Sequence, residues 1–350
     1  MWVKAPGLQT AKEPAIYLSN LRCRRFLYSE LTTDHFMTQP HFLKQTFCVL
    51  AGFLCFDGAS LLQAGKPIEQ ARNVENSRSP EHARGFSLMT GDVAPSSPGD
   101  QDLGEQRLLK SEEKERPFIL VGDIAGYATN NVALTENGTH KDQFIVGQIA
   151  ASYQPKIAEN LLAEITFRQA FIRYHQFTEL NFDSQDMGAG LTYLAPSLGN
   201  IAFYGRYNYN RLLDAREENE IFTNHALTIG LQKAFVLSRA HYFYAGYASQ
   251  FSIGHPPAAE RNEHGAFAGY HVNLTRALQA DLFYRIAWFD YAQGGRADLN
   301  QTVTSSIQYY FTKWLYAYAS ALFAFNDSNR EILDYKVFSP AVGVNATLKF

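Results

Sequence analysis

The chain has 350 residues, 46% hydrophobic and 19% charged, a balance that suits one large or two ordinary packed domains and excludes a disordered or fibrous chain. A formal net charge of −3 provides no broad basic surface, so nucleic acid is not an expected partner. Mean hydropathy is below zero, and the strongly apolar run from Phe47 to Phe56 is far shorter than the roughly 20 residues of a spanning helix, which excludes a helical membrane bundle.

The three cysteines, Cys23, Cys48 and Cys55, all precede the long aromatic region, so no disulfide framework or thiolate metal site is expected there. Residues 37–44 are polar and weakly basic, 45–56 are apolar, and 57–64 are small and polar. That is the order of a secretory signal cut after Ala64, with a buried or interfacial helix as the alternative. Residues 1–64 are therefore expected to be an N-terminal extension and signal peptide starting at Met37.

Residues 65–117 carry Ser79-Pro80, the turn-rich stretch 95–100 and the charged run 110–116, with few large apolar side chains. Such a segment buries too little surface to offset its ordering entropy, and it reads as a flexible periplasmic tether. A plug or a partner-binding element is the alternative.

From Phe118 the chain settles into period-two segments of about 10–14 residues. Strands are predicted over 118–129, 142–154, 161–175, 184–195, 201–212, 221–235, 241–253, 264–274, 278–291, 299–311, 314–326 and 335–350. In the last, Phe338, Pro340, Val342, Val344, Ala346, Leu348 and Phe350 share one face, opposite Ser339, Gly343, Asn345, Thr347 and Lys349. Breaks alternate between short and long, as in an up-and-down barrel threaded through a membrane, and a tilted strand needs about 9–11 residues to cross. Closure of an even number of antiparallel strands removes the open edges that lipid forbids. The fold class is thus all-β, a twelve-stranded antiparallel transmembrane barrel over 118–350.

Aromatic residues make up 14% of the chain, and all of the 20 Tyr except Tyr17 and Tyr28 follow Phe118. Tyr153, Tyr193, Phe203, Phe235, Tyr242, Phe243, Tyr309, Phe311, Trp314 and Tyr316 sit beside the short breaks, where interfacial girdles are expected.

In these features the chain resembles bacterial outer-membrane β-barrel proteins of porin-like type, over residues 118–350 and the signal. The terminal alternation through Val342, Val344 and Leu348 to Phe350 is similar to the C-terminal signal of that superfamily. The resemblance implies an outer-membrane location, with lipid and the barrel-insertion machinery as partners.

Face assignment points Glu164, Arg168, Arg206, Asn208, Gln232, Asp281 and Arg285 into the lumen, because a charge facing lipid at mid-depth costs roughly 2–4 kcal/mol. Twelve strands lie between the filled eight-stranded barrels and the open 16–18-stranded ones. A narrow pore passing small polar solutes is the leading expectation, and a filled barrel whose outer loops bind a partner is the alternative. Arg168, Arg206 and Arg285 could form a basic strip for anions. No histidine is followed two residues later by serine, and Asp183, Asp186 and His175 are a weak rim-protease set, so no enzymatic activity, metal or cofactor is expected.

Overall fold

The computed structural model describes residues 67–75, 116–238 and 240–350. The signal segment, the start at Met37 and most of the tether lie outside the described residues. Twelve long strands follow one another: β1 (Phe118–Thr129), β2 (Asp142–Tyr153), β3 (Leu161–Tyr174), β4 (Phe182–Ala195), β5 (Ile201–Asp214), β6 (Glu220–Val236), β7 (His241–His255), β8 (Arg261–Asn273), β9 (Leu278–Tyr291), β10 (Ala297–Tyr310), β11 (Leu315–Ser328) and β12 (Tyr335–Lys349). A three-residue strand, Lys156–Ala158, folds against the start of β3.

Each long strand pairs antiparallel with its chain neighbours, and β1 pairs with β12 from Ile119↔Lys349 to Tyr127↔Ala341. The sheet is therefore a closed ring in which no long strand presents an open edge. Strands of 12 to 17 residues exceed what the hydrocarbon requires.

The strands run further than the alternation predicts at one end of the barrel. β4 begins at Phe182, β8 at Arg261 and β10 at Ala297, while β7 continues to His255 and β11 to Ser328. Apart from Phe182 and Ala297 these extra residues are polar or glycine, so hydrophobic periodicity fades although the backbone ladder continues. The connections there, 130–141, 175–181, 215–219, 256–260, 292–296 and 329–334, define the long-loop end, and only the first stays long. The opposite, tight-turn end carries 154–160, 196–200, 237–240, 274–277 and 311–314.

Burial runs opposite to that of a water-soluble fold. On β10, Asp298, Asn300, Thr302, Thr304 and Gln308 point inward and are at most 2% exposed, while the intervening Ile307 and Tyr309 are 53% and 50% exposed. Ile124, Ile149, Ile165, Leu191, Ile229 and Val342 are likewise exposed on the outer wall. An apolar surface this extensive, wrapped around a polar interior, suits lipid as the solvent.

At the tight-turn end Tyr153, Tyr193, Phe203, Phe235, Phe243, Tyr309, Phe311 and Trp314 face outward as a girdle. Tyr242 and Tyr316 do not belong to it. Their parity turns them inward, where Tyr242 stacks 4.9 Å from His271 and Tyr316 lies 4.8 Å from Tyr310. Inward glycines make room for such rings: a Cβ on Gly269 would lie 2.2 Å from Tyr244, its direct cross-strand neighbour.

Nine residues of the expected tether depart from that expectation. Residues 67–75 are helical and lie within the barrel, in the same compact unit. Ile68, 1% exposed, packs into a cluster with Tyr127, Val132, Phe144, Tyr174 and Phe222 near the long-loop end.

Candidate functional site: the barrel lumen

Register sets the polar wall. Arg168 on β3 lies directly opposite Asp186 on β4, and donates to Asp186 Oδ2 from Nε at 3.1 Å and from Nη2 at 2.9 Å. Asp186 also accepts from Asn210 Nδ2 at 2.6 Å and from Ser184 Oγ at 3.1 Å. Glu164 and Arg206 flank Gly190 from β3 and β5, and Arg206 Nη2 reaches Glu164 Oε2 at 3.0 Å. This diagonal pair meets only because position 190 carries no side chain: a Cβ there would sit 2.7 Å from Arg206 Cγ. Across the barrel, Arg285 Nη2 lies 2.7 Å from Glu263 Oε2.

These side chains line a cavity of about 520 Å³, whose roof includes Ile68, Ala71, Arg72 and Glu75 of the helix. Their spacing places one helix face over the cavity. The helix also grips the wall: Gln70 Nε2, off that face, donates to Val132 O at 2.9 Å, and Arg72 Nη2 reaches Ala259 O at 3.2 Å.

Two carboxylates anchor the helix. Glu69 receives Arg261 Nη1 at 2.8 and 3.0 Å, and Arg72 Nη1 at 2.7 Å. Glu75 pairs with Arg168 Nη1. Arg261 itself is 3% exposed, stacks 3.6 Å above the Phe289 ring and donates to Tyr291 Oη at 2.9 Å. Burial opposes ionisation of Glu69, but Arg261, Arg72 and Arg296 outweigh it and bring its carboxyl from the ordinary 4.5 down to about 2.

Of the residues predicted to face the lumen, Glu164, Arg168, Arg206, Asn208 and Arg285 line this cavity. Gln232 and Asp281 are also on the inner face and buried, but lie outside the cavity lining. Asp281 Oδ1 is 2.8 Å from His271 Nδ1. The three arginines of the expected basic strip share the cavity, yet each is matched with a carboxylate, which removes the strip as an uncompensated patch. Asp183 and Asp186 fall on opposite faces: Asp183 pairs with Arg173, Asp186 with Arg168, so the rim-protease set does not assemble. Among the described residues, no group of three or more His, Cys, Asp or Glu is placed to hold a metal ion. Val342, Val344, Leu348 and Phe350 lie exposed on the outer face of the last strand.

Residues 67–75 belong to the segment for which a plug is the alternative reading, whereas Arg261 and Glu263 were not anticipated at this site. Pro67 ahead of the Ile68, Ala71, Arg72, Glu75 spacing is a helix-start signal within a segment whose overall composition points to a tether.

No protein-family model and no curated protein matches the chain. Solved structures of similar shape include an outer membrane channel from Pseudomonas putida F1, 12% identical over 70% of this chain and 100% of that one, with a TM-score of 0.46. LpxR from Salmonella typhimurium is 8% identical over 63% and 99%, with a TM-score of 0.39. The translocator domain of the autotransporter NalP from Neisseria meningitidis is 11% identical over 78% and 97%, with a TM-score of 0.36. With likeness this distant, the assignment rests on the ring closure and the inverted burial. The chain is a closed twelve-stranded antiparallel β-barrel with an apolar outer wall around a polar interior, the arrangement of a barrel set in lipid.

Proposed function

We propose that the barrel is a narrow channel for passive passage of small polar solutes, closed in this conformation by residues 67–75. The observation that carries the proposal is the cavity of about 520 Å³ inside the wall, where Arg, Glu, Asp, Asn and Thr side chains project among apolar ones such as Leu212 and Phe222. A barrel with only a structural role has no need of an interior chamber into which charged side chains project, whereas a pore for polar solutes does. The role proposed for Val342, Val344, Leu348 and Phe350 is recognition during insertion, where an accessible alternating strand end is required.

A second proposal, a filled barrel whose outer loops bind a partner, draws on the aromatic packing of Tyr244 and Phe283 with Tyr242 and Phe267 inside the lumen. Its outer loops satisfy some of their own polar groups, as when Asp214 Oδ1 accepts from the backbone N–H groups of Arg216 and Glu217.

Planar-bilayer recording separates the two. A variant lacking 67–75 that retains heat-modifiable gel migration should show discrete conductance steps while the full chain stays mostly closed. A folded deletion variant that remains silent would refute the channel and favour the filled barrel.

A further inference from the structure

We infer that the helix closes the lumen by occupying anion sites with its own carboxylates, and that small carboxylate-bearing solutes open the channel by replacing them. The inference rests on the channel proposal and adds its solute class and its gate.

Two arginines carry the argument. Arg168 commits Nε and Nη2 to Asp186 on its own wall and gives Nη1 to Glu75. Arg261 is built similarly: Nε and Nη2 go to Glu263, and Nη1 goes to Glu69 and to Tyr291 Oη. Each guanidinium thus keeps one carboxylate from the barrel and borrows a second from the helix. Withdrawal of the helix leaves both wall pairs intact and exposes one N–H edge on each arginine, a geometry suited to planar carboxylates.

The charges agree. The cavity wall contributes Arg168, Arg206, Arg261 and Arg285 against Glu164, Asp186 and Glu263. The helix brings Glu69 and Glu75 against its own Arg72, and the surplus carboxylate covers this excess of positive charge. Without them the wall favours anions. Arg261, buried at 3% exposure, also sets the condition for opening, since a buried guanidinium that loses one of its anions is strongly destabilised unless another takes its place. Helix departure is therefore coupled to arrival of an anion rather than spontaneous. Six residues separate Glu69 from Glu75, about 9 Å along a helix, farther than the two carboxyls of a four-carbon diacid reach, so each site takes a carboxylate of its own.

The test uses the full chain in planar bilayers, with succinate as probe and glucose as uncharged control. Succinate should raise the open fraction of the wild-type channel about tenfold or more, and glucose should not. Glu69→Gln with Glu75→Gln should open the channel without succinate, with a reversal potential in a potassium chloride gradient shifted toward that of chloride. Arg168→Gln with Arg261→Gln should abolish the succinate response. If the deletion of 67–75 conducts but succinate is inert and the Glu→Gln pair stays as closed as wild type, the inference is overturned and the channel stands. A cation-preferring Glu→Gln pore overturns it equally. A folded but silent deletion variant removes the channel itself. Should the deletion fail to fold, the response of the wild type to succinate still decides.

Discussion

Glu69→Gln is the sharpest single test of how the helix is held. The substitution keeps the shape, removes the charge that Arg261, Arg72 and Arg296 act upon, and turns one of the two oxygens that accept from Arg261 into a donor. The fall of its carboxyl from 4.5 to about 2, at about 1.4 kcal/mol per tenfold, makes the ionised form worth about 3 kcal/mol to the docked helix. Loss of that contribution should weaken docking by about 100-fold or more. Because the docked value is depressed, the stabilisation is fully present above pH 4.5 and is lost as pH falls toward 2. At pH 3 the wild type should already have lost about 30-fold in docking. Hydrogen exchange on the barrel in detergent, corrected for intrinsic rates, reads this directly. Amides of residues 67–75 should lose protection in Glu69→Gln at pH 7, and in the wild type between pH 5 and pH 3, while strand amides hold. The pH effect should shrink in the variant. Wild-type protection of the helix in Glu69→Gln at neutral pH would refute the ion-pair account of docking.

Three further outcomes follow from the wall. Gly269→Val places a Cβ 2.2 Å from the fully buried Tyr244, an overpacking that should cost about 1–3 kcal/mol in urea unfolding of the folded barrel; an unchanged midpoint would contradict the packing. Ile124→Arg, on the lipid-facing side at mid-strand and 60% exposed, should cost about 2–4 kcal/mol in the same assay, whereas Ile124→Leu should be near neutral. Removal of Phe350, exposed at the strand terminus, should lower the yield of heat-modifiable barrel in cells by several-fold while leaving detergent refolding nearly intact; equal losses in both would assign Phe350 to stability instead of insertion.

The barrel was legible because lipid imposes one rule on every strand: alternate residues must be apolar. β12 and β10 obey it along most of their length, so count, order and facing could be read from the residues alone. The rule weakens where the solvent changes. Beyond the hydrocarbon at the long-loop end, Arg261, Asn262 and Glu263 are polar on successive faces, and nothing in their pattern marks the two or three extra rungs that the backbone forms. Aromatic residues blur the girdle for a related reason. A tyrosine suits both the interface and a polar lumen, and parity, not residue type, sends Tyr242 inward and Phe243 outward.

The helix was hidden for a different reason. Its anchors are Arg168 and Arg261, which lie 93 and 192 residues away from Glu75 and Glu69. Composition describes what a segment can bury on its own, and nine residues with Glu69, Arg72 and Glu75 among them can bury very little. Inside a barrel the accounting differs, because the wall already supplies an array of fixed, partly compensated guanidinium groups. There a short charged helix docks through complementary charge, while Ile68 supplies its fully buried apolar anchor. The same polarity that makes residues 67–75 resemble a tether in water makes them fit the lumen. A segment held this way is also one that a soluble anion can compete with, which a greasy plug would not permit.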